Sequence, residues 1–257
     1  MPGDAAHHAY RRHSLLVRIT HWINVIALAA LLMSGLQIFN EHPALYWGKS
    51  SYTGEPALLE VKGGLPWGKS SETGKPALVE LESKFPSWMI IPSGQNLAMG
   101  RRWHFFFAWL FVINGLVYVV HSIVSRHLGR DLKPTRDDWR GIGRSIKDHL
   151  LLRQPRGEEA RRYNVIQKLA YLLLIFGLFP IVVLTGWSMS PWLNSIFPGW
   201  VDLLGGRQSG RTLHFIAAWL LVSFVLVHVF EVVITGFWNN LRSMITGRYR
   251  VSPEDRS

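Results

Sequence analysis

The chain contains no cysteine. Disulfides, thiolate metal ligands, iron–sulfur clusters and thioether attachment of a prosthetic group are thereby excluded within it. Charge is also scarce, at 18% of 257 residues, and its balance is lopsided: 28 Lys and Arg against 17 Asp and Glu, a formal charge of +11. Charge is nearly missing from four apolar runs, about Leu15–Ile38, Trp103–Ile123, Gln167–Ser188 and Thr212–Thr235. Each approaches or exceeds the roughly 20 residues needed to cross a bilayer. An ordinary soluble globule would break its apolar residues into shorter runs. The expected fold is all-α, an integral membrane four-helix bundle with an extended periplasmic loop.

In a soluble protein the basic excess would suggest nucleic acid; here it reports topology, and no nucleic-acid partner is expected. Residues 124–165 carry eleven Lys and Arg against six carboxylates, and residues 236–257 carry four against two. Residues 189–211 have only Arg207 and Arg211. Both termini are therefore expected in the cytoplasm of a bacterial inner-membrane protein. The organisation is a cytoplasmic tail (1–14), transmembrane helices (15–38, 103–123, 167–188, 212–235), periplasmic loops (39–102, 189–211), a basic cytoplasmic loop (124–166) and a cytoplasmic tail (236–257). That last tail is expected to be disordered. Residues 1–38 do not suit a cleaved signal peptide: the run is too long and carries His21, Trp22 and Asn24. His7, His8 and His13 in the N-terminal tail are expected to be solvated.

Within the apolar runs histidine is the informative residue. His214 and His228 are fourteen apart. At helical geometry they lie within about 40° of one face and about 21 Å apart along the axis. An ionisable group inside a span is a functional candidate, and two levels of imidazole suggest two stacked metal centres, with haem the candidate cofactor. The motif G-R-x-x-H-F-x-x-A-W-L occurs twice, from Gly100 and from Gly210, which sets His104 and His214 at equal depth. They make a pair. His228 pairs with His21, in preference to His121, which lies about 100° off the line of His104. A bent helix would rescue His121. At the offset of the repeat, His228 is matched by Tyr118. Ser34 and Gly35, with the similar Thr185 and Gly186, are small enough to let helices or a flat macrocycle approach closely. Arg101 and Arg211 are candidates to neutralise haem propionates.

Residues 46–61 and 66–81 agree at eleven of sixteen positions with a period of twenty, a local tandem duplication. Two copies cannot form a solenoid; an outer cap on the membrane surface, or a partner surface, is expected. In the cytoplasmic loop Trp139, Ile142, Ile146, Leu150 and Leu151 recur near helical spacing, as in an interfacial helix held by membrane lipid. Pro180 is expected to kink the third span. Asn164, Gln167 and Lys168 at its start suit either a quinone carbonyl or an interfacial anchor. Glu231 near the end of the fourth span is a candidate for ion pairing or proton transfer.

These features resemble the membrane-bound b-type cytochromes that include bacterial cytochrome b561, the cytochrome b subunits of nickel–iron hydrogenases, formate dehydrogenase gamma subunits and thiosulfate reductase cytochrome b. Arg18-x-x-His21-Trp22, His104, and His214 with His228 match the family's ligand positions, and Tyr163-Asn164-x-x-Gln167-Lys168 matches its sequence near a quinone. The resemblance implies two haem b, a quinone, and an electron-transfer subunit for a periplasmic hydrogenase, formate dehydrogenase or molybdopterin enzyme. It does not cover the duplicated loop. A second copy of the chain is another candidate partner. Other readings are a free-standing quinol oxidase that reduces a small acceptor such as superoxide, and a haem-free transporter with a histidine relay.

Deleting one repeat, Pro66 to Leu81, is expected to leave both haem signals and to weaken coupling to the partner. Partner-dependent haem reduction in membranes measures this; unchanged rates and unchanged co-purification would make the loop surface decoration.

Overall fold

The computed structural model describes residues 8–50, 56–61, 79–81, 84–93, 96–126, 128–151, 164–197 and 199–251. His7, Tyr163 and most of the second repeat copy lie outside them. The fold is predominantly α-helical. Its four long apolar helices belong to an integral membrane four-helix bundle, and they are Leu15–Glu41 (α1), Leu97–Val124 (α2), Val165–Ser188 and Arg207–Ile234. A helix satisfies every backbone N–H and C=O within itself, which a lipid environment demands. Large apolar side chains point outward along these helices: Phe106, Leu116, Leu173 and Leu226 are each at least 60% exposed. In water that surface would aggregate; in a bilayer it is the lipid face.

Short elements complete the chain: strands His8–Arg11 (β1), Ala44–Leu45 (β2), Leu59–Val61 (β3) and Val79–Leu81 (β4), then helices Arg136–Arg140 (α3) and Ile142–Leu150 (α4). The third span is Val165–Leu173 (α5), a π-helical turn Leu174–Leu178, and Phe179–Ser188 (α6). Pro180 has no N–H to give to Phe176 and its ring crowds that carbonyl, so the helix widens just ahead of it instead of breaking. Pro191–Ile196 (α7), Trp200–Leu203 (α8), the fourth span (α9), Phe237–Thr246 (α10) and Arg248–Val251 (β5) follow.

Contacts divide the chain into two units, residues 1–23, 114–177 and 223–257, and residues 24–113 and 178–222. In the first, β1 pairs antiparallel with β5, His8 opposite Val251 and Arg11 opposite Arg248. The described ends of the chain therefore share one side. The C-terminal segment, expected to be disordered, forms α10 and β5 here. Trp22 Nε1 donates to the Met244 carbonyl at 3.2 Å, Arg18 to that of Ile245, and the Arg12 guanidinium lies 4.6 Å over the Tyr249 ring. These contacts from α1 and its approach order a tail whose composition alone gave no sign of it. The interfacial helix comes as two pieces, α3 and α4, divided at Gly141, with Trp139, Ile146 and Leu151 exposed.

In the second unit the first repeat copy is docked onto the start of α9. The Gly48 carbonyl accepts the Gln208 and Ser209 N–H groups at 3.1 and 3.2 Å, filling donors that a helix start leaves open. Ser209 Oγ accepts the Gly48 N–H at 2.8 Å, and Thr212 donates to the Tyr46 carbonyl at 2.7 Å. Gly206 has φ +113°, and a Cβ there would stand 2.5 Å from the Gly48 oxygen, so only glycine fits. The repeats meet in β3 and β4, which pair parallel with Leu59 opposite Val79 and Val61 opposite Leu81. Each residue thus faces its own counterpart, twenty positions on. Phe39, Leu45 and Val61 form a small core under this cap, with Phe85 and Phe215 against it. Asn40 pins the return leg by exchanging two hydrogen bonds with the Phe85 backbone, at 2.9 and 3.0 Å.

In the first unit Thr135 and Asp138 form a capping box on α3, and Asp138 accepts from Lys168 Nζ at 2.8 Å. Burial pushes the Asp138 carboxyl up. The Lys168 hydrogen bond, the Thr135 donors and the Lys168 charge outweigh it and hold the group below its ordinary 3.8. A depressed carboxylate stabilises the fold above its unfolded value and loses that contribution as pH falls through the folded one. Asp138→Asn is expected to cost about 1–3 kcal/mol at neutral pH. The difference from wild type should shrink as pH falls through the depressed folded-state value and vanish once the carboxyl is protonated in both states. Thermal unfolding in detergent, followed by circular dichroism across that range, measures both; a pH-independent gap would sink the assignment.

Candidate functional site

The four histidines of the spans meet as two pairs. His104 on α2 and His214 on α9 have ring centroids 6.1 Å apart with planes at 74°. His21 on α1 and His228 on α9 have centroids 6.3 Å apart with planes at 60°. Two imidazoles on opposite sides of one metal, each bonded through nitrogen at about 2 Å, have centroids about 6 Å apart. Both pairs meet that spacing. Among the described residues no three His, Asp or Glu side chains gather as a metal cluster, so any metal here must bring its own equatorial ligands, as a macrocycle does.

Hydrogen bonding fixes which nitrogen each loop-end imidazole offers. The Ser34 hydroxyl donates to the Ala30 carbonyl at 2.6 Å and lies 3.0 Å from His104 Nδ1. With its proton spent on Ala30 it accepts from that nitrogen. The Thr185 hydroxyl donates to Ile181 at 2.6 Å and lies 3.2 Å from His214 Nδ1, which is also 2.9 Å from the Val182 carbonyl. A carbonyl only accepts, so Nδ1 carries the proton. Both rings therefore present a bare Nε2, the tautomer a metal requires.

The glycines beside these hydroxyls let the rings lie against the helices. A Cβ on Gly35 would stand 3.5 Å from His104 Cε1, and one on Gly186 would stand 3.2 Å from His214 Cε1. The correspondence runs one position further. Gln37 packs on Gly100, where a Cβ would meet its Cγ at 2.8 Å, and Ser188 packs in the same way on Gly210. Ser-Gly-x-Gln on α1 thus does for α2 what Thr-Gly-x-Ser on α6 does for α9. The small residues were expected from the sequence to serve close approach alone; the hydroxyl that orients the imidazole was missed. Its only signal was that Ser34-Gly35 and Thr185-Gly186 recur opposite a repeated His motif.

The remaining candidates have visible partners. Arg211 donates to the Ala44 carbonyl at 2.8 Å and to that of His42, so it braces the loop. Arg101 is exposed, its guanidinium 6.0 Å from the Phe105 ring. Asn164 caps α5 and accepts from the Ser145 hydroxyl, Gln167 closes that capping box, and Lys168 pairs with Asp138. All three therefore already hold the start of the third span. Glu231 stands about one turn beyond His228 on α9. His121 is half-buried, and its carbonyl accepts from the Ser125 hydroxyl at 2.7 Å.

Residues 12–247 match the family described as prokaryotic cytochrome b561. The chain is 29% identical over 238 residues to a putative protein-methionine-sulfoxide reductase subunit YedZ1 of Azospira oryzae, covering 93% of this chain and 97% of that one. It is 24% identical over 248 residues to a probable Ni/Fe-hydrogenase B-type cytochrome subunit of Cupriavidus necator, covering 90% and 83%.

Ser34→Ala and Thr185→Val each remove one orienting hydroxyl. If His104 and His214 hold a haem, each variant is expected to speed its loss about tenfold. Transfer to apomyoglobin, resolved by low-temperature spectra, measures it. Equal acceleration of a second haem, assigned to His21 and His228, would show a global effect and sink the assignment.

Proposed function

This chain belongs to the prokaryotic cytochrome b561 family, and we propose that it holds two haem b groups and links a periplasmic oxidoreductase to the membrane quinone pool. It is a membrane-embedded electron-transfer protein. His104 with His214 would hold one haem, and His21 with His228 the other. The observation that carries the reading is the pair of imidazole spacings, 6.1 and 6.3 Å, in helices with no thiolate alternative. Bound haem supplies reversible one-electron transfer at an iron whose potential the protein tunes by burial and hydrogen bonding. The chain's own work is to keep Nε2 unprotonated, hold paired rings on facing helices and exclude water. Arg101 and Arg211 are the proposed partners of haem carboxylates. Ser34, Gly35, Thr185 and Gly186 are the proposed shelf of the loop-end site.

The side of the membrane follows from charge. With the basic segments inside, both termini are cytoplasmic and the duplicated loop is periplasmic, in a bacterial inner membrane. The partner would meet that loop. One relative is named for a methionine-sulfoxide reductase and another for a hydrogenase, so an oxidoreductase of such a kind is the proposed partner class. The quinone would meet the opposite end, where Asn164, Gln167 and Lys168 are the residues the sequence offers. A quinone there would have to exchange with their capping and ionic contacts.

Pyridine haemochrome against protein concentration is expected to give about two non-covalent haems per chain. A ratio near zero in well-haeminated preparations would overturn the reading. His21→Ala is expected to lose one haem, and His121→Ala to keep both. The reverse outcome would put the second macrocycle between α2 and α9.

A further inference from the structure

One polar side chain near the His104–His214 pair is not accounted for by its packing. Gln37 on α1 is 0% exposed, and neither its amide nitrogen nor its amide oxygen makes a hydrogen bond among the described residues. No other buried side chain among those residues has both ends of an amide unmet. An amide in that state costs free energy inside a membrane bundle unless a ligand or a water meets it. The stem of Gln37 rests on Gly100, where an added Cβ would stand 2.8 Å from the Gln37 Cγ and 3.5 Å from its Cβ. An unbranched apolar chain would fill that space as well and leave nothing unpaired.

The matching position in the other half shows what packing alone requires. Ser34, Gly35 and Gln37 on α1 stand to α2 as Thr185, Gly186 and Ser188 on α6 stand to α9. Ser188 packs on Gly210, and its hydroxyl donates to the Thr185 carbonyl at 2.7 Å. That bond back to its own turn satisfies its proton. Glutamine is not among the side chains that bond back in this way. The first half therefore carries an open donor and an open acceptor where the second carries a hydroxyl already engaged.

The position is equally specific. Ser34 lies 3.0 Å from His104 Nδ1, and Gln37 is three residues further along α1, about 4.5 Å of helix rise. Gly100 is four residues before His104 on α2, about 6 Å of rise. Both steps lead from the imidazole toward the start of α2. The amide is thus about one turn to the loop side of the imidazole level, and enclosed. The arginines at this end are placed differently: Arg211 donates to the carbonyls of Ala44 and His42, and Arg101 is exposed.

We infer that Gln37 is the interior hydrogen-bonding partner of a carboxylate on the macrocycle assigned to His104 and His214, donating through Nε2. The inference rests on the haem reading above and adds a holding residue to it. A haem carries two carboxylates on one edge, and charged groups within a membrane turn toward the nearer water surface. His104 and His214 each stand seven residues past the first residue of their helix, so for them that surface is the loop end. A neutral amide suits the task. It bonds an ionised carboxylate through its nitrogen and a protonated one through its oxygen, and it adds no charge to the bundle. A buried water held by the amide is the rival, and it makes no demand on a carboxylate.

The experiment uses the full-length, haem-loaded protein in detergent. Resonance Raman spectra report the bending band of the haem carboxylate side chains, whose frequency follows their hydrogen bonding. Transfer to apomyoglobin gives the rate of haem loss, resolved between the two sites by low-temperature spectra. Gln37→Met keeps an unbranched stem against Gly100, and Gln37→Ser copies the side chain of position 188. Each is expected to shift the carboxylate band of the loop-end haem and to speed its loss about five- to tenfold, with the other haem unchanged. An unchanged band in a haem-replete Gln37→Met or Gln37→Ser would overturn the proposal at any rate of haem loss: the amide then meets only water or serves packing. Failure of the haem reading looks different: wild type then binds no haem that His104→Ala removes.

Discussion

A neutral imidazole carries one proton on two nitrogens, and the loop-end site depends on which nitrogen has it. Ser34 decides the matter for His104, and the Val182 carbonyl decides it for His214. Each decision needs a helix–helix approach close enough for a ring to reach the neighbouring backbone. Glycine at positions 35 and 186 permits that approach, and the hydroxyl or carbonyl beside it gives it chemical sense. A tautomer set in this way costs nothing when a metal binds, because no proton has to move.

In lipid, side-chain polar groups need partners as surely as the backbone does. The hydroxyls of Ser34, Thr185 and Ser188 all donate to carbonyls on their own helices. Asn114 reaches a carbonyl on α1. Against that background the groups without such a bond stand out. Among the described residues Gln37 is fully buried with both amide atoms unmet.

The duplicated loop shows how a tandem repeat can be absorbed into a helical bundle. The first copy caps α9 through Gly48 and lies over a small aromatic core. The second adds a parallel strand at the period of the duplication. A duplicated strand inherits the pattern of its template, so it can pair in register without further change.

The sequence by itself determined the membrane class, the four spans and the two levels of histidine, because length, hydropathy and a fourteen-residue spacing are properties of one helix at a time. The repeated G-R-x-x-H motif even matched His104 to His214 in depth. The preference for His21 over His121 was a rotation argument along one helix, and the ring spacing of 6.3 Å with His228 gives it a geometry. Contacts between helices were beyond its reach. Ser34 and Thr185 read as small residues, and only packing made them acceptors for imidazole. Asn164, Gln167 and Lys168 suited either a quinone carbonyl or an interfacial anchor; the Asn164–Gln167 cap is local to the start of α5, and packing added the ion pair of Lys168 with Asp138. The C-terminal tail read as disordered because its order comes from α1 and β1, more than two hundred residues away in the chain. Local periodicity encodes which face a helix shows; what that face meets is decided by the tertiary fold.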